Sequence, residues 1–577
     1  MEKIKRALVK LGRWQYLALL VLVLVTVFLH LATITHPNEP LFDEQHYVPD
    51  ARRILAGEGT ERVEHPPLAK LIIAGGIEVF GDNPWGWRMP AVILSTIALI
   101  MFYDICRRLG TSHRTAFLAT LLLSVDNLFF IHSGMAMLDI YVVIFTIAAF
   151  WFYLKGPRWW WAAAVSVALA GLSKFSGILA IIPIGLHWFF IGYKQKMGEP
   201  VGQTTPPSTP AIGALPASVE ITHTDTAFDA SNVPEATTAT LQTEAPQKRR
   251  FWAVYGRPLA FIGSMLLAPV VFVLLYWVFD WVIWSKWVNV INDIKDALQL
   301  TDSIKFTGYT SPLPSRPWEW LLSPTGSFNF YGWIFNQAKY DSIVLPYWYT
   351  PSYTGMINPT LWLSGLAVIP YAVWQWFKKN NAAIFVVCWI IGTWVVWIPL
   401  CIISDRVSFT FYYLPTIGAI CLGTSLILTY LLDKAEARRK GKLKLFLELA
   451  IASFILLHLL AFCILSPLHL WISIPAGVLL LLFALDFLDL GWRFMWQFVV
   501  STALATPLMC FVFYWPLKDW LVTGNAPWGL PEVSLLWVVS ALIGLAVTWG
   551  LFVVIHLFVN KVIRDNTPAP QESGLVS

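Results

Sequence analysis

The sequence predicts an all-α protein threaded many times through a membrane. Three observations carry this. Hydrophobic residues make up 57% of the 577 and charged ones only 13%, far from the usage of a soluble globule. Apolar runs long enough to cross a bilayer recur along the whole chain. When those runs are threaded alternately, basic residues collect on one side. The net charge of +5 is mild, and no basic stripe marks a nucleic-acid partner, so the expected surroundings are membrane lipid.

The first element follows a basic stretch: Lys3, Lys5, Arg6, Lys10 and Arg13 precede an apolar run from Tyr16 to Thr33. A cleaved signal peptide needs a shorter apolar core and a small-residue cleavage site. His36-Pro37-Asn38-Glu39 supplies none, so the run reads as an uncleaved anchor. Further spans read as 88–106, 115–132, 137–154, 159–174, 176–192 and 258–280, then 359–377, 382–403, 408–430, 445–465, 468–488, 494–515 and 535–559. This gives about fourteen transmembrane helices. The threading places Arg107-Arg108, Lys155, Lys194, Lys196, Lys248-Arg249-Arg250, Lys378-Lys379, Arg438-Arg439-Lys440 and Arg564 on the N-terminal side. The positive-inside rule makes that side cytoplasmic and puts both termini there.

The chain divides accordingly. Residues 1–192 form a membrane block with a first external loop at 34–87, and 193–257, rich in Thr, Pro, Ala and Ser, read as a disordered cytoplasmic loop. Residues 258–430 form a second membrane block with a long external loop at 281–358, and 431–577 supply C-terminal transmembrane helices and a cytoplasmic tail. Cys106, Cys388, Cys401, Cys421, Cys463 and Cys510 fall singly in or beside apolar runs, which suits small core residues better than a zinc or redox site.

The first external loop holds the chemistry. In Leu41-Phe42-Asp43-Glu44-Gln45-His46-Tyr47, two adjacent carboxylates sit at the mouth of a span. Ionised groups there cost free energy unless they are used or paired. Ordinary acids of a hydrated loop are the plain alternative. Beyond them, Pro49-Asp50 opens a short stretch from Ala51 to Ala56, and Pro66-Pro67 opens Leu68 to Phe80, with Leu68, Leu71, Ile72 and Val79 on one face and Lys70 off it. Both read as interfacial helices walling a chamber open to lipid and water, as a substrate with a hydrocarbon tail and a charged head requires.

These residues resemble a known family. Phe42-Asp43-Glu44-x-His46-Tyr47, His65-Pro66-Pro67-Leu68-x-Lys70 and Trp87-Arg88-x-x-Ala91 follow one another around the first loop as in the protein O-mannosyltransferases. Met137-Leu138-Asp139, Gly171-Leu172-Ser173-Lys174-Phe175-Ser176-Gly177, Tyr309-x-Ser311, Ser315-Arg316-Pro317-Trp318, Asn358-Pro359-x-Leu361-Trp362 and Arg406-x-x-Phe409-x-Phe411-Tyr412-Tyr413-x-Pro415 continue the likeness, which is specific as a set. The resemblance implies a GT-C glycosyltransferase fold and an inverting enzyme of bacterial plasma-membrane type. Such an enzyme moves a sugar, typically mannose, from a polyprenyl-phosphate-linked donor to Ser or Thr hydroxyls of protein substrates crossing the membrane. Two departures stand out: His132-Ser133-Gly134-Met135 occupies the place of a family Arg, and the loop from Trp281 to Pro359 is too short for the β-trefoil of eukaryotic members.

The chemistry also follows from the residues. An alcohol attacking a sugar carbon needs a carboxylate to take its proton, and a departing phosphate needs cations to hold its growing charge. Asp43 is the candidate base. Glu44 is expected to position the acceptor or a charged partner, unless both acids merely pair with Arg52 or Arg53. Lys70, Arg88, Lys174 and Arg406 are candidate phosphate ligands, with snorkelling to the surface as the alternative. His65 either donates to the phosphate or fixes the loop. Asp139 either contacts sugar or acceptor or serves as a helix N-terminal acid. Trp318, Trp320, Tyr331, Trp333, Tyr347, Trp348, Tyr349 and Tyr353 suit stacking on sugar or peptide and interfacial anchoring equally.

No cofactor is required, and no ligand set has the spacing diagnostic of a divalent metal. Transfer of a lipid-linked sugar to lipid A or a glycan, as in aminoarabinose transferases, is the neighbouring enzyme reading. A secondary transporter would need internal repeats and charged or broken helices near the bilayer midplane; no repeat is visible, and the conspicuous acids lie at span ends.

Overall fold

The structure, a computed structural model, describes residues 14–196, 247–308, 314–322, 357–438, 441–506 and 530–566. Most of the expected cytoplasmic loop, the Tyr309-x-Ser311 motif, Cys510 and the aromatics Tyr331, Trp333, Tyr347, Trp348, Tyr349 and Tyr353 lie outside the described residues, as do the side chains of Lys248, Arg249 and Arg250.

Helix follows helix. The elements are α1 (Trp14–Thr33), α2 (Glu44–Leu55), α3 (Leu68–Phe80), α4 (Pro84–Arg108), α5 (His113–Ser124), α6 (Asn127–Ser133), α7 (Leu138–Leu154), α8 (Trp160–Ser173) and α9 (Ile181–Lys196). They continue as α10 (Gln247–Trp284), α11 (Val290–Ser303), α12 (Glu319–Leu322), α13 (Pro359–Phe377), α14 (Asn381–Ile390), α15 (Trp397–Ser404), α16 (Leu414–Glu436), α17 (Lys442–Leu465), α18 (Leu470–Phe487), α19 (492–506) and α20 (Leu530–Asn566). Among the described residues eight helices are long and apolar enough to cross a membrane, or nine if α5 and α6 are counted as one bent span. The expected spans 159–174 and 176–192 correspond to α8 and to α9 with the 3-10 turn Phe175–Ala180 that leads into it.

Capping explains where the helices begin. Asn83 accepts from the Trp85 N–H ahead of Pro84 at the first turn of α4, and Ser112 accepts from the Thr115 N–H at α5. The α5–α6 pair bends by 66° because Asp126 leaves the helix. Its carboxylate takes the Phe129 N–H at 2.9 Å and, from the far end of the chain, the Asn358 N–H at 2.9 Å. Asn358 in turn caps α13, accepting from the Thr360 N–H, and donates to the His458 carbonyl of α17. The Asn358-Pro359 motif is therefore the joint between the break and two later helices.

In the first loop, α3 has the expected bounds, whereas α2 starts at Glu44 rather than after Pro49-Asp50. The Asp43 carbonyl already accepts from the Tyr47 N–H at 3.1 Å, and Pro49 lies inside the helix. Lys70, expected off the apolar face, is buried at 1% exposure. The five described cysteines are free and buried.

Candidate active site

The two acids of the Asp43-Glu44 pair point to different fates. Glu44 is wholly buried. Its Oε1 accepts from Arg88 Nε at 2.9 Å and from the Ala136 N–H at 2.8 Å. Oε2 accepts from Arg88 Nη2 at 2.7 Å and from the Leu41 N–H at 3.0 Å. Arg88 spends its other N–H groups on the carbonyls of Ile34, Pro37 and Glu39. With all five guanidinium donors committed inside the protein, Arg88 is held as a clamp between Glu44 and the 34–39 segment. Of the roles expected of Glu44, it faces a charged partner. That partner is neither Arg52, which pairs with Asp82, nor Arg53, which pairs with Glu61.

Lys70 is held in a similar way. Its ammonium donates to Thr60 Oγ1 at 2.9 Å and to the Arg62 carbonyl at 2.7 Å, and lies 3.6 Å from Asp50. Asp50 accepts from Thr60 Oγ1 and from the Glu61 and Arg62 N–H groups. Burial lowers the Lys70 pKa to about 8, against the pull of Asp50. A buried ammonium with every donor engaged staples the 60–62 segment to α2 and α3 and leaves nothing for a phosphate.

Asp43 is different. It stands at the N-cap of α2 yet makes no capping hydrogen bond, and no donor among the described residues binds its half-buried carboxylate. The preceding residue, Phe42, has a φ of 51°, a left-handed conformation that costs about 1–3 kcal/mol for a residue of this kind. Leu41 and Phe42 pack against Ile131, Met135 and Met137, which holds the strained turn ahead of Asp43. Burial raises the Asp43 pKa, as does Asp139, while Lys174, His46 and Arg62 oppose the rise.

Around Asp43 stand the remaining candidates. Lys174 closes α8 in extended conformation, and its ammonium bridges both Asp139 oxygens at 2.8 and 3.0 Å and lies 4.2 Å from the centre of the Tyr412 ring. The Gly171 to Gly177 motif makes this turn possible: a Cβ on Gly177 would collide with the Ala170 carbonyl, so only glycine lets the chain fold back and deliver Lys174. Asp139, in the first turn of α7, is at once helix-terminal acid and partner of Lys174. A cavity bordered by Asp139, Ser176, Gly177, Thr393, Trp397 and Tyr412 adjoins the pair.

His65 is half-buried against Tyr47, ring to edge at 5.8 Å. Its pKa is held well below the usual value by burial and then by Lys174, Lys70, Arg406 and Arg62, so the imidazole is neutral in an electropositive pocket. Arg406, half-buried, has no ion pair or hydrogen bond on its guanidinium among the described residues. The structure thus gathers Asp43, His65, Asp139, Lys174 and Arg406 in one electrostatic neighbourhood and withdraws Glu44, Lys70 and Arg88 into the scaffold. Sequence reasoning missed two residues, Tyr412 at Lys174 and Asp405 beside Arg406; both lie in or next to a motif already singled out, which was the only signal.

Comparisons with known proteins agree with the motifs. Residues 64–204 match the family model described as dolichyl-phosphate-mannose-protein mannosyltransferase. The polyprenol-phosphate-mannose–protein mannosyltransferase of Mycobacterium tuberculosis is 24% identical over 454 residues, covering 70% of this chain and 78% of that protein. The protein of the same name in Mycolicibacterium smegmatis is 32% identical over 196 residues, 28% of this chain and 38% of that one. Among solved structures, ArnT of Cupriavidus metallidurans bound to undecaprenyl phosphate aligns with a TM-score of 0.39 and 14% identity over 85% of this chain and 80% of that chain. The matched family model and the mycobacterial relatives thus agree in likening this chain to the dolichyl- and polyprenol-phosphate-mannose–protein mannosyltransferases.

Proposed function

We propose that the protein moves a mannosyl group from a polyprenyl-phosphate carrier to Ser or Thr hydroxyls of proteins, with inversion at the sugar carbon, on the membrane face opposite its basic segments. The observation that carries this is a carboxylate, Asp43, without a hydrogen-bond partner among the described residues and in the field of Lys174, which Asp139 holds in place. The acceptor oxygen attacks the anomeric carbon as its proton passes to Asp43. The bond from that carbon to the phosphate oxygen breaks, and its electron pair leaves on the phosphate.

Arg406 and Lys174 hold that charge, because a preorganised cation in a water-poor site stabilises a developing anion far better than water does. His65, neutral, donates to the phosphate rather than adding charge. Asp139 keeps Lys174 in place and presents its remaining lone pairs toward sugar or acceptor.

The test is transfer: purified protein, polyprenyl-phosphate-mannose and a Ser/Thr peptide, with products read by mass spectrometry. A mannosylated peptide is expected; transfer only to lipid A or a glycan would replace this reading by its enzymatic neighbour, and flux of substrate without transfer by a transporter. Sidedness has its own check. A reporter inserted in 204–246 is expected in the cytoplasm and one after Asp302 outside, and the reverse would take Asp43 out of the required compartment.

A further inference from the structure

Arg406 pairs with no acid among the described residues, and what holds its backbone in place is a second segment of the chain. The 304–307 stretch runs antiparallel to 405–407, paired through a bridge of Lys305 with Arg406. The Phe306 N–H donates to the Asp405 carbonyl at 2.8 Å and the Val407 N–H to the Ile304 carbonyl at 3.1 Å. On the other flank, the Ser315 N–H donates to the Ser408 carbonyl at 2.9 Å, and Ser408 Oγ returns a bond to the Ser315 carbonyl at 2.8 Å.

Asp405 fastens this arrangement. Its φ of 50° is left-handed, a conformation that Asp tolerates better than most residues because its short side chain bonds locally. Here the carboxylate accepts from the Thr307 N–H at 3.1 Å, from Thr307 Oγ1 at 2.6 Å and from Arg316 Nη2 at 3.1 Å. Arg316 itself lies over the Phe306 ring at 4.1 Å and reaches Cys401 Sγ at 3.5 Å. Thus the one acid adjacent to Arg406 is already satisfied by Thr307 and Arg316 and does not neutralise it. Among the described residues the Arg406 guanidinium has no partner, and its charge is felt at His65.

We propose that Asp405 is a positioning residue. By bonding to Thr307 on one side and Arg316 on the other, it aims Arg406 at the phosphate of the lipid-linked donor, an inference that rests on the donor site proposed above. The Ser315-Arg316 motif and the Arg406 motif are then two halves of one device, and Asp405 acts through Arg406 alone.

The experiment is a double-mutant cycle on the full-length protein, with undecaprenyl phosphate as the titrant and its dissociation constant as the readout, so that no transfer activity is needed. Arg406→Gln is expected to weaken binding about tenfold, the size of one lost charge-assisted contact. Asp405→Ala is expected to weaken it about fivefold in the parent and less than twofold in the Arg406→Gln background, because residues acting through one another do not add. Asp405→Gly keeps the left-handed backbone without strain and lacks the carboxylate; it is expected to match Asp405→Ala and serves if that variant does not fold. In the transfer assay, the same Asp405 variants are expected to raise the donor KM more than they lower kcat. Parent-like binding by Asp405→Gly overturns the proposal, as does an Asp405 effect of equal size in both backgrounds. If Arg406→Gln alone leaves binding unchanged, the donor-site reading of Arg406 fails first and the positioning role with it.

Discussion

Asp43 and Glu44 are neighbours in one motif and differ by a single methylene, yet one is bound by four donors and the other by none among the described residues. The same contrast separates the cations. Arg88 and Lys70 have every donor spent within the protein, while Arg406 has spent none of its guanidinium on the described residues. A buried charge that is fully hydrogen-bonded can be borne for structure alone, since its desolvation is offset where it stands. A charge left with open valences among the described residues has no such offset there, and the proposed function gives that place to the substrate. The difference teaches that charge near a membrane entrance marks a functional region without telling which member acts; the count of satisfied donors and acceptors does that.

The largest effect is expected on the satisfied side. Removing one partner of the Glu44–Arg88 pair strands a buried charge, at a cost of about 3–5 kcal/mol. Arg88→Ala and Glu44→Ala should therefore both fall sharply in thermal unfolding in detergent, while Asp43→Asn should unfold like the parent. Equal unfolding of all four proteins would erase the contrast.

A smaller effect tests the open side through pH. His65 has a folded pKa well below its ordinary 6.5 because of burial and the cations around it, so the unfolded chain binds the extra proton first. Its contribution to stability is fully present above about pH 6.5 and is lost as pH falls toward the depressed folded value. His65→Gln should shrink the loss of stability between about pH 7.5 and about pH 5, measured by unfolding at both. An unchanged difference would mean that His65 is not held neutral by this pocket.

Much of this was legible in the chain. Spans at 16–33 and 88–106 and the interval 68–80 follow from apolar runs and Pro signals, and their helices occupy nearly those bounds. The motifs put forward Asp43, Glu44, His65, Lys70, Arg88, Asp139, Lys174 and Arg406 as one set of candidates, without telling which of them are spent on partners within the protein. What was not legible is pairing at a distance. Glu44 meets Arg88 across 44 residues and Asp126 meets Asn358 across 232, and no local periodicity reports such contacts. Lys70 reads as lying off the apolar face of its helix, and its burial rests on Asp50, on another helix, together with Thr60 and the Arg62 carbonyl. The left-handed turns at Phe42 and Asp405 carry no glycine to announce them.

The central claim is that Asp43, and not its neighbour, takes the acceptor's proton. It is tested most directly by the turnover number of Asp43→Asn with saturating donor and peptide. Asparagine keeps the size and loses the basic oxygen, so turnover should fall by roughly a hundredfold or more, with donor binding and unfolding temperature held at parental values. Turnover within a few-fold of the parent would contradict the claim.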